Sequence, residues 1–575
     1  MRSTFAGLNT MVGGINTNRL SLDTVGHNIS NASTTGYSRQ SVNQAATNAQ
    51  EVYSIYGTQL VGTGVDSLSI TRARNIYADK QYWKENGDNS YYTAQQTNYS
   101  KLEAIFNDSD DTGVENAMTK FYKAWSEVST SASTSTTRQT VIDAGSTFAD
   151  RLSTASKQVQ QQITSNYDDI KLNVTKVNTI TDQIVALNKN IASLESTGAN
   201  ANDLRDQRDN LVDTLSGYVN TNVYQEANGM YTIVSNGASL VSGISKLNLK
   251  MSDATPNSQY GINDYSIQIQ ETGTTFTAGS GTLQAEVDAI KTDKEYIDKL
   301  ANMAGFMMTT LNDQHKAGYG MNGSTIDKTK TSINFYGDND TTYTWDDTNQ
   351  AVVAKPNSGS GTSSTLKGVE IINAMTVNSK LTGSDGANYL AVTGNTVKNV
   401  TTNTEEVTAA GNDSYVLSPT VDTATNTRTA TMIKYATDSA GKITKTTTTT
   451  TYEPNNTGDG SNAVLLSALF NSTKANTVNT AGTRSIGDIS LNSYYNASVT
   501  NLGSLSEAMN SKVSAQGDIM TQVESWRSST SGVNWNEELT NMIKFQQGFS
   551  ACSRCLTTMD EMLDKLVNST GTVGR

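Results

Sequence analysis

FAGLNTMVGGINTNRLSLDTVGHNI, residues 5–29, places Phe5, Leu8, Val12, Ile15, Arg19, Leu22, Gly26 and Ile29 at a strict 3-4 spacing, interrupted only by Arg19 and Gly26. That alternation is the 3.5-residue period of a coiled-coil seam and predicts a helix with one apolar stripe. The far end repeats the pattern at Trp535, Glu538, Met542, Phe545, Phe549, Cys552, Leu556, Met559, Leu563 and Leu566, with Glu538 as its one departure. Two seams at opposite ends predict that the termini pair with each other. A lone helix of this length is marginal in water, and two helices enclose little. Both arms are therefore expected to be weakly ordered in the free chain and to fold against neighbouring copies. Periodicity alone leaves an intramolecular helical bundle open, and amide exchange on a monomer separates the two readings.

Inward from the ends the pattern changes. The four prolines, Pro256, Pro356, Pro419 and Pro454, all lie in the middle of the chain. Proline breaks helix interiors, so the flanks are free to form long helices. Ile163, Tyr167, Ile170, Val174 and Val177 continue the heptad spacing. One 3-3 step follows, then Ile180, Ile184, Leu187, Ile191 and Leu194, which reads as a stammer, with Gly198 ending the helix. Thr112 and Glu115 have capping-box spacing before a helix through Phe121, Tyr122 and Trp125. Further helices are predicted near 203–215 and 283–311. Strands are predicted at 60–72, 223–234 and across 244–280. The segment 335–480 is the most polar, and its runs 427–435 and 443–451 flank Asp438-Ser-Ala-Gly441 as a hairpin. Threonine favours strands, so Thr446–Thr451 is read as an exposed strand.

The expected fold class is α+β multidomain, with paired N- and C-terminal coiled-coil helices, a helical-bundle second layer and β-rich outer insert domains. At 575 residues one core is too few. The expected division is 1–40 with 535–575 as the terminal coiled coil. A helical middle domain takes 41–222, 282–334 and 484–534, and 223–281 is a small β-rich unit. The Thr-rich outer insert spans 335–483.

The composition excludes several functions. A net charge of -13 leaves no basic footprint for nucleic acid. No run of 18 apolar residues predicts a membrane span, and residues 1–8 lack the apolar run of an ordinary secretory signal. His27 and His315 are far apart and belong to no zinc motif. Cys552-Ser-Arg-Cys555 has no second ligand pair and falls within a heptad helix, so small packing residues are expected there instead of a metal or redox site. Asp108–Gly113 approaches a calcium loop but has Thr119 where the twelfth-position Glu belongs. No catalytic, cofactor or metal residue is expected, and the chain is read as a non-enzyme. The candidate functional residues are the seam positions, as subunit-packing knobs: Phe5, Leu8, Val12, Ile15, Leu22, Ile29, Met542, Phe545, Phe549, Leu556, Met559, Leu563 and Leu566.

Gly7-Leu8-Asn9, followed by LDTVGHNISNASTTGYSR at 22–39, resembles the N-terminal signature of the bacterial flagellar axial proteins: rod, hook and hook-associated proteins. Four further segments are similar to the junction members of that family. They are Gly62–Val65 with Ile70–Arg72; Ile105–Asn107 with Phe121–Trp125 and Arg138; NDLRDQRD at 202–209; and Ser531–Asn534 with Glu537, Glu538, Ile543–Gln547 and Leu556–Leu563. Cys552 and Cys555 stand where the family suggests small or aliphatic residues. The insert 335–480 carries no such likeness. The resemblance implies a structural subunit joining the flexible hook to the filament, built into a ring of its own copies. Its implied partners are the hook protein below, the second hook–filament junction protein above, and a flagellar export chaperone at the C-terminal helix. It implies export through the flagellar type III channel without a cleaved signal, and an extracellular place in the flagellum. Another axial member (hook, distal rod or second junction protein) remains an alternative. An adhesin or phage-tail fibre would leave the terminal signatures unexplained.

Overall fold

The computed structural model describes residues 6–54, 57–106, 113–322, 325–327, 332–357, 361–409, 411, 414–417, 428–473 and 484–569. Long helices dominate the flanks, as the distribution of proline requires. They are α1 (Ala6–Asn31), α2 (Ile76–Phe106), α3 (Val114–Thr130), α4 (Ser135–Glu195), α5 (Asn202–Ser216) and α6 (Gly281–Phe306). After a π-turn at Met307–Leu311 come α7 (Asn312–Ala317), α8 (Val369–Ala374), α9 (Ser379–Thr382), α10 (Gly386–Tyr389) and α11 (Ser461–Ala468). The chain closes with α12 (Leu491–Ser531) and α13 (Trp535–Asp564).

The second layer is built on α4, a single 61-residue helix. Its predicted seam is its buried face. Ile163, Tyr167, Ile170, Val174, Val177, Ile180, Ile184 and Ile191 are all buried, Leu187 is half-buried, and only Leu194 is open to solvent at 47 %. The 3-3 step is absorbed without a break, and Gly198 leaves the helix at φ 86°, a left-handed turn that suits glycine. Helices α3, α5 and α6 pack on α4, while α12 lies along α2. The start of α3 differs from expectation. Gly113 is its N-cap and provides no side-chain hydrogen bond, and Thr112 lies outside the described residues. The predicted calcium-like loop also falls largely outside them.

Four strands follow α1: β1 (Gln40–Ala46), β2 (Gln50–Ser54), β3 (Gly57–Val61) and β4 (Val65–Arg72). β1 pairs antiparallel with β4, running from Gln40 opposite Arg72 to Ala46 opposite Val65, and β2 pairs with β3. The predicted strand over 60–72 is thus two strands parted at Gly62–Gly64. The 223–280 region forms an antiparallel sheet through Asn222–Gln225, Tyr231–Ser235, Ala238–Ser242 and Ser245–Lys246, followed by short hairpins.

The segment 335–483 is more helical and better buried than its polarity suggests. It contains α8 to α11, and Phe335, Tyr336, Ile371, Leu390 and Phe470 enter the same core as Phe121, Trp125 and Phe148. Aromatic side chains placed far apart in sequence provide the contact: Phe335 lies 5.4 Å from Phe121 and 5.7 Å from Trp125 between ring centroids. The predicted threonine hairpin forms, with Arg428–Thr437 antiparallel to Ile443–Pro454. Asn395–Val407 flanks it on one side and Ser414–Leu417 on the other, giving a four-stranded sheet.

Candidate assembly interface

Helices α1 and α13 run antiparallel along each other. A Cβ on Gly7 would lie 2.9 Å from Met559 Cε, and one on Gly14 would lie 3.0 Å from Cys552 Sγ. One on Gly548 would lie 2.7 Å from Asn18 Oδ1, while Asn28 bonds Glu538. As the number rises along one helix, it falls along the other. At each of these glycines an added side chain would force the facing Met559, Cys552 or Asn18 side chain to shift, and at Gly13 a Cβ would lie 3.0 Å from the Val65 carbonyl oxygen.

The C-terminal stripe meets α1 at Gly7, Gly14 and Asn28, beside the N-terminal stripe. The face that α1 buries is Gly14, Thr17, Ser21, Thr24, Val25 and Asn28. It is a stripe of small and polar residues, with Ser21 and Thr24 satisfying their hydroxyls on the Thr17 and Leu20 carbonyls one turn back. Cys552, Met559 and Glu538 of the C-terminal seam lie against this face, at Gly14, Gly7 and Asn28. Strands β1 and β4 share it: Thr10 Oγ1 donates to the Thr63 carbonyl, and Gln44 Nε2 donates to Ser21 Oγ. Small residues win because they let three backbones converge, which the larger Leu8, Ile15 and Leu22 would prevent.

The leucine stripe of α1 is consequently left partly open. Leu8, Ile15, Leu22 and Ile29 are half-buried and Val12 is 44 % exposed, while Phe5 lies outside the described residues. On α13, Met542, Phe545, Phe549, Leu556, Met559 and Leu563 are half-buried, and Leu566, in a π-turn after the helix, is 57 % exposed. Trp535, read in the sequence as the first seam position, forms a second line on α13 with Leu539 and Ile543, two residues the seam reading missed, at four-residue steps and all exposed.

At the base of the pair a polar junction holds it to the rest of the chain. Glu538, the polar member of the seam, is 1 % exposed. Arg39 Nε donates to its Oε1 at 2.8 Å and Asn28 Nδ2 to its Oε2 at 3.0 Å, while Arg39 Nη2 reaches Glu537 at 2.8 Å. Asn28 Oδ1 accepts from Tyr37 Oη and from the Gln40 amide, and the Arg39 amide donates to the Ser531 carbonyl. The signature at 22–39 is thus folded around the entry to α13.

The 202–209 motif completes the junction from α5. Asp203 accepts from Gln40 Nε2. Asp206 accepts from the Ser38 amide at 2.8 Å, from Ser38 Oγ at 2.7 Å and from Arg72 Nη1 at 2.7 Å. Arg72 also pairs with Asp209 at 2.6 Å. Burial opposes the Asp209 charge, but Arg72, Arg74 and Arg208 hold its carboxyl below the usual range. Arg208 is fully buried, donating to Asn188 Oδ1 and the Gly229 carbonyl with its guanidinium 3.4 Å from the Tyr231 ring centroid. Arg527 on α12 ties the same corner to Asp79 and Asp213.

The residues weighed for other chemistry lie elsewhere. His315 is fully buried, with Nδ1 2.8 Å from the Ile333 carbonyl and Nε2 accepting from the Ala391 amide. Burial pushes it down to about 4, so it is neutral. His27 is exposed beside Tyr37. Cys552 and Cys555 are free thiols on α13. Among the described residues no group of three or more His, Cys, Asp or Glu side chains could hold a metal ion. No helix there is long and apolar enough to cross a membrane.

The family model "Flagellar hook-associated protein FlgK helical domain" matches residues 99–329, and "Flagellar basal body rod FlgEFG protein C-terminal" matches 527–569. Flagellar hook-associated protein 1 of Bacillus subtilis is 25% identical, the alignment covering 100% of both chains. Its Escherichia coli counterpart is 25% identical over 98% of this chain and 99% of its own. The flagellar hook junction protein FlgK from Burkholderia pseudomallei has the same fold, with TM-score 0.56 and 18% identity over 79% of this chain and 100% of that one. The long helices, paired ends and these matches define a structural protein of the flagellar axis. Over its full length the chain is similar to flagellar hook-associated protein 1.

Proposed function

We propose that this chain is the structural subunit that joins hook to filament in the bacterial flagellum. One observation carries the reading: the α1 leucine stripe and the Trp535–Leu539–Ile543 line stay partly or fully exposed although α1 and α13 are already paired. Apolar lines on such helices are suited to burial by partner helices. Neighbouring copies in a ring cover the stripes laterally, the hook protein meets them below and the second junction protein above. On this reading 1–40 with 535–575 forms the inner tube and 41–222 with 282–334 and 484–534 the next layer, whose core also takes Phe335, Ile371, Leu390 and Phe470, while 223–281 and the threonine-rich sheet of 335–483 lie outside.

The role is mechanical and needs no catalysis. The seam residues act as packing knobs, and the half-open stripes are ordered fully only once neighbours cover them. The C-terminal helix, with its exposed apolar line, is also the surface an export chaperone would cover before passage through the type III channel. Deletion of the gene tests the role. Hooks without filaments, with flagellin lost to the medium, are expected; filaments of normal length on the deletion strain would refute it.

A further inference from the structure

The core of the second layer contains an acid that the assembly account does not use. Asp293 on α6 is fully buried. Asn98 Nδ2 of α2 donates to its Oδ1 at 3.0 Å and Gln162 Nε2 of α4 at 3.2 Å, while Asn166 Nδ2 of α4 donates to its Oδ2 at 3.0 Å. The amides also bond one another, Gln162 Nε2 to Asn98 Oδ1 at 2.7 Å. No cation among the described residues forms an ion pair with it. Two turns earlier on α6, Glu286 accepts from Asn173 Nδ2 at 2.7 Å, and its other oxygen is buried without a hydrogen-bond partner.

We propose that the amide-ringed carboxyl of Asp293, with Glu286 beside it, is a proton-dependent clasp: neutral, it locks α2, α4 and α6 in register; charged, it loosens them. The amide donors favour the charged form, but they carry no charge of their own, so a carboxylate in this core keeps a desolvation penalty with no countercharge, which the neutral acid avoids. The surrounding charges are few. α2 brings Lys101, an exposed cation that favours the charged form, and Tyr99, kept neutral by burial. α4 brings Asp169 and Lys176 toward Glu286, with opposite effects. On α6 itself, Lys294 is taken by Asp264 and Lys299 sits over Tyr296. α8 packs on α6 with Glu370 turned to the Lys367 amide. Burial pushes Asp293 up to about 7, and burial with Asp169 pushes Glu286 up to about 8.

Both acids then hold protons in the folded chain that the unfolded chain has released. The clasp is tight in mild acid and weakens as pH rises to about 7–8. Amide-exchange protection, corrected for intrinsic rate, tests this on the full chain from pH 5 to 8.5. Protection at 98–102, 162–166 and 286–293 is expected to fall up to about tenfold per pH unit between pH 5 and 7 for each of the two acids that opening releases, while protection in α3 does not. Asp293→Asn with Glu286→Gln removes the fall. A wild-type profile parallel to that of α3, or a variant that retains the slope, overturns the proposal. If the variant does not fold, the wild-type comparison alone decides.

Discussion

Replacing Arg39 by alanine strands a buried charge. Glu538 has a side chain only 2 % exposed, and Arg39 is its one ionic partner among the described residues, at 2.8 Å. Removing one member of a buried pair costs about 3–5 kcal/mol. The lower end applies here, because Arg39 is itself 27 % exposed and Glu538 keeps its bond from Asn28 at 3.0 Å. A loss of about 3 kcal/mol raises the local opening constant about 100-fold. The opening is read on the Ser38, Arg39, Gln40 and Glu538 amides, which bond to Asp206, Ser531, Asn28 and Asn534 across this corner. Adding Glu538→Gln to Arg39→Ala removes the stranded charge and is expected to recover most of the loss. An Arg39→Ala chain whose four amides exchange at the wild-type rate would refute the reasoning. So would a double variant no better than the single one.

Leu556→Asp or Leu563→Asp places a carboxylate in the α1–α13 contact. Each is expected to abolish filament attachment while leaving the near-ultraviolet circular dichroism of the second layer unchanged, and normal swimming would count against the seam. His315 has its folded value lowered to about 4 from 6.5. Its contribution is therefore intact above pH 6.5 and is lost as pH falls towards 4, by about 3 kcal/mol. His315→Gln should flatten that acid-side slope in urea titrations at pH 4.5 and 7, and an equal slope in both chains would contradict its buried neutral state.

Local pattern was legible and its partners were not. The α4 seam, including the step between Val177 and Ile180, could be read because burial along a long helix repeats at fixed spacing. The threonine hairpin could be read for the same local reason. Which face of α1 turns inward could not be read, since Gly7 and Gly14 matter only through Met559 and Cys552, more than 500 positions away. A signal was present in the 3-4 spacing of Gly14, Thr17, Ser21, Thr24 and Asn28, but leucines command attention in hydrophobic patterning. Glu538 looked like a flaw in the seam because its answer, Arg39, lies at the other end of the chain. The 202–209 motif was visible as a motif only. Its work is done through Ser38, Arg72, Asn188 and Gly229, none of them predictable from spacing. Phe335, Ile371 and Leu390 were hidden by the polarity of the residues around them, yet they are core.

Labelling of a cysteine at Val12 tests the central claim most directly. With Cys552→Ala and Cys555→Ala as background, Val12→Cys places a thiol on the exposed α1 stripe. A maleimide is predicted to modify it readily in the purified monomer and to be excluded from it in intact flagella. Equal labelling in both states would mean that no neighbour covers the stripe, and the proposed packing would be wrong.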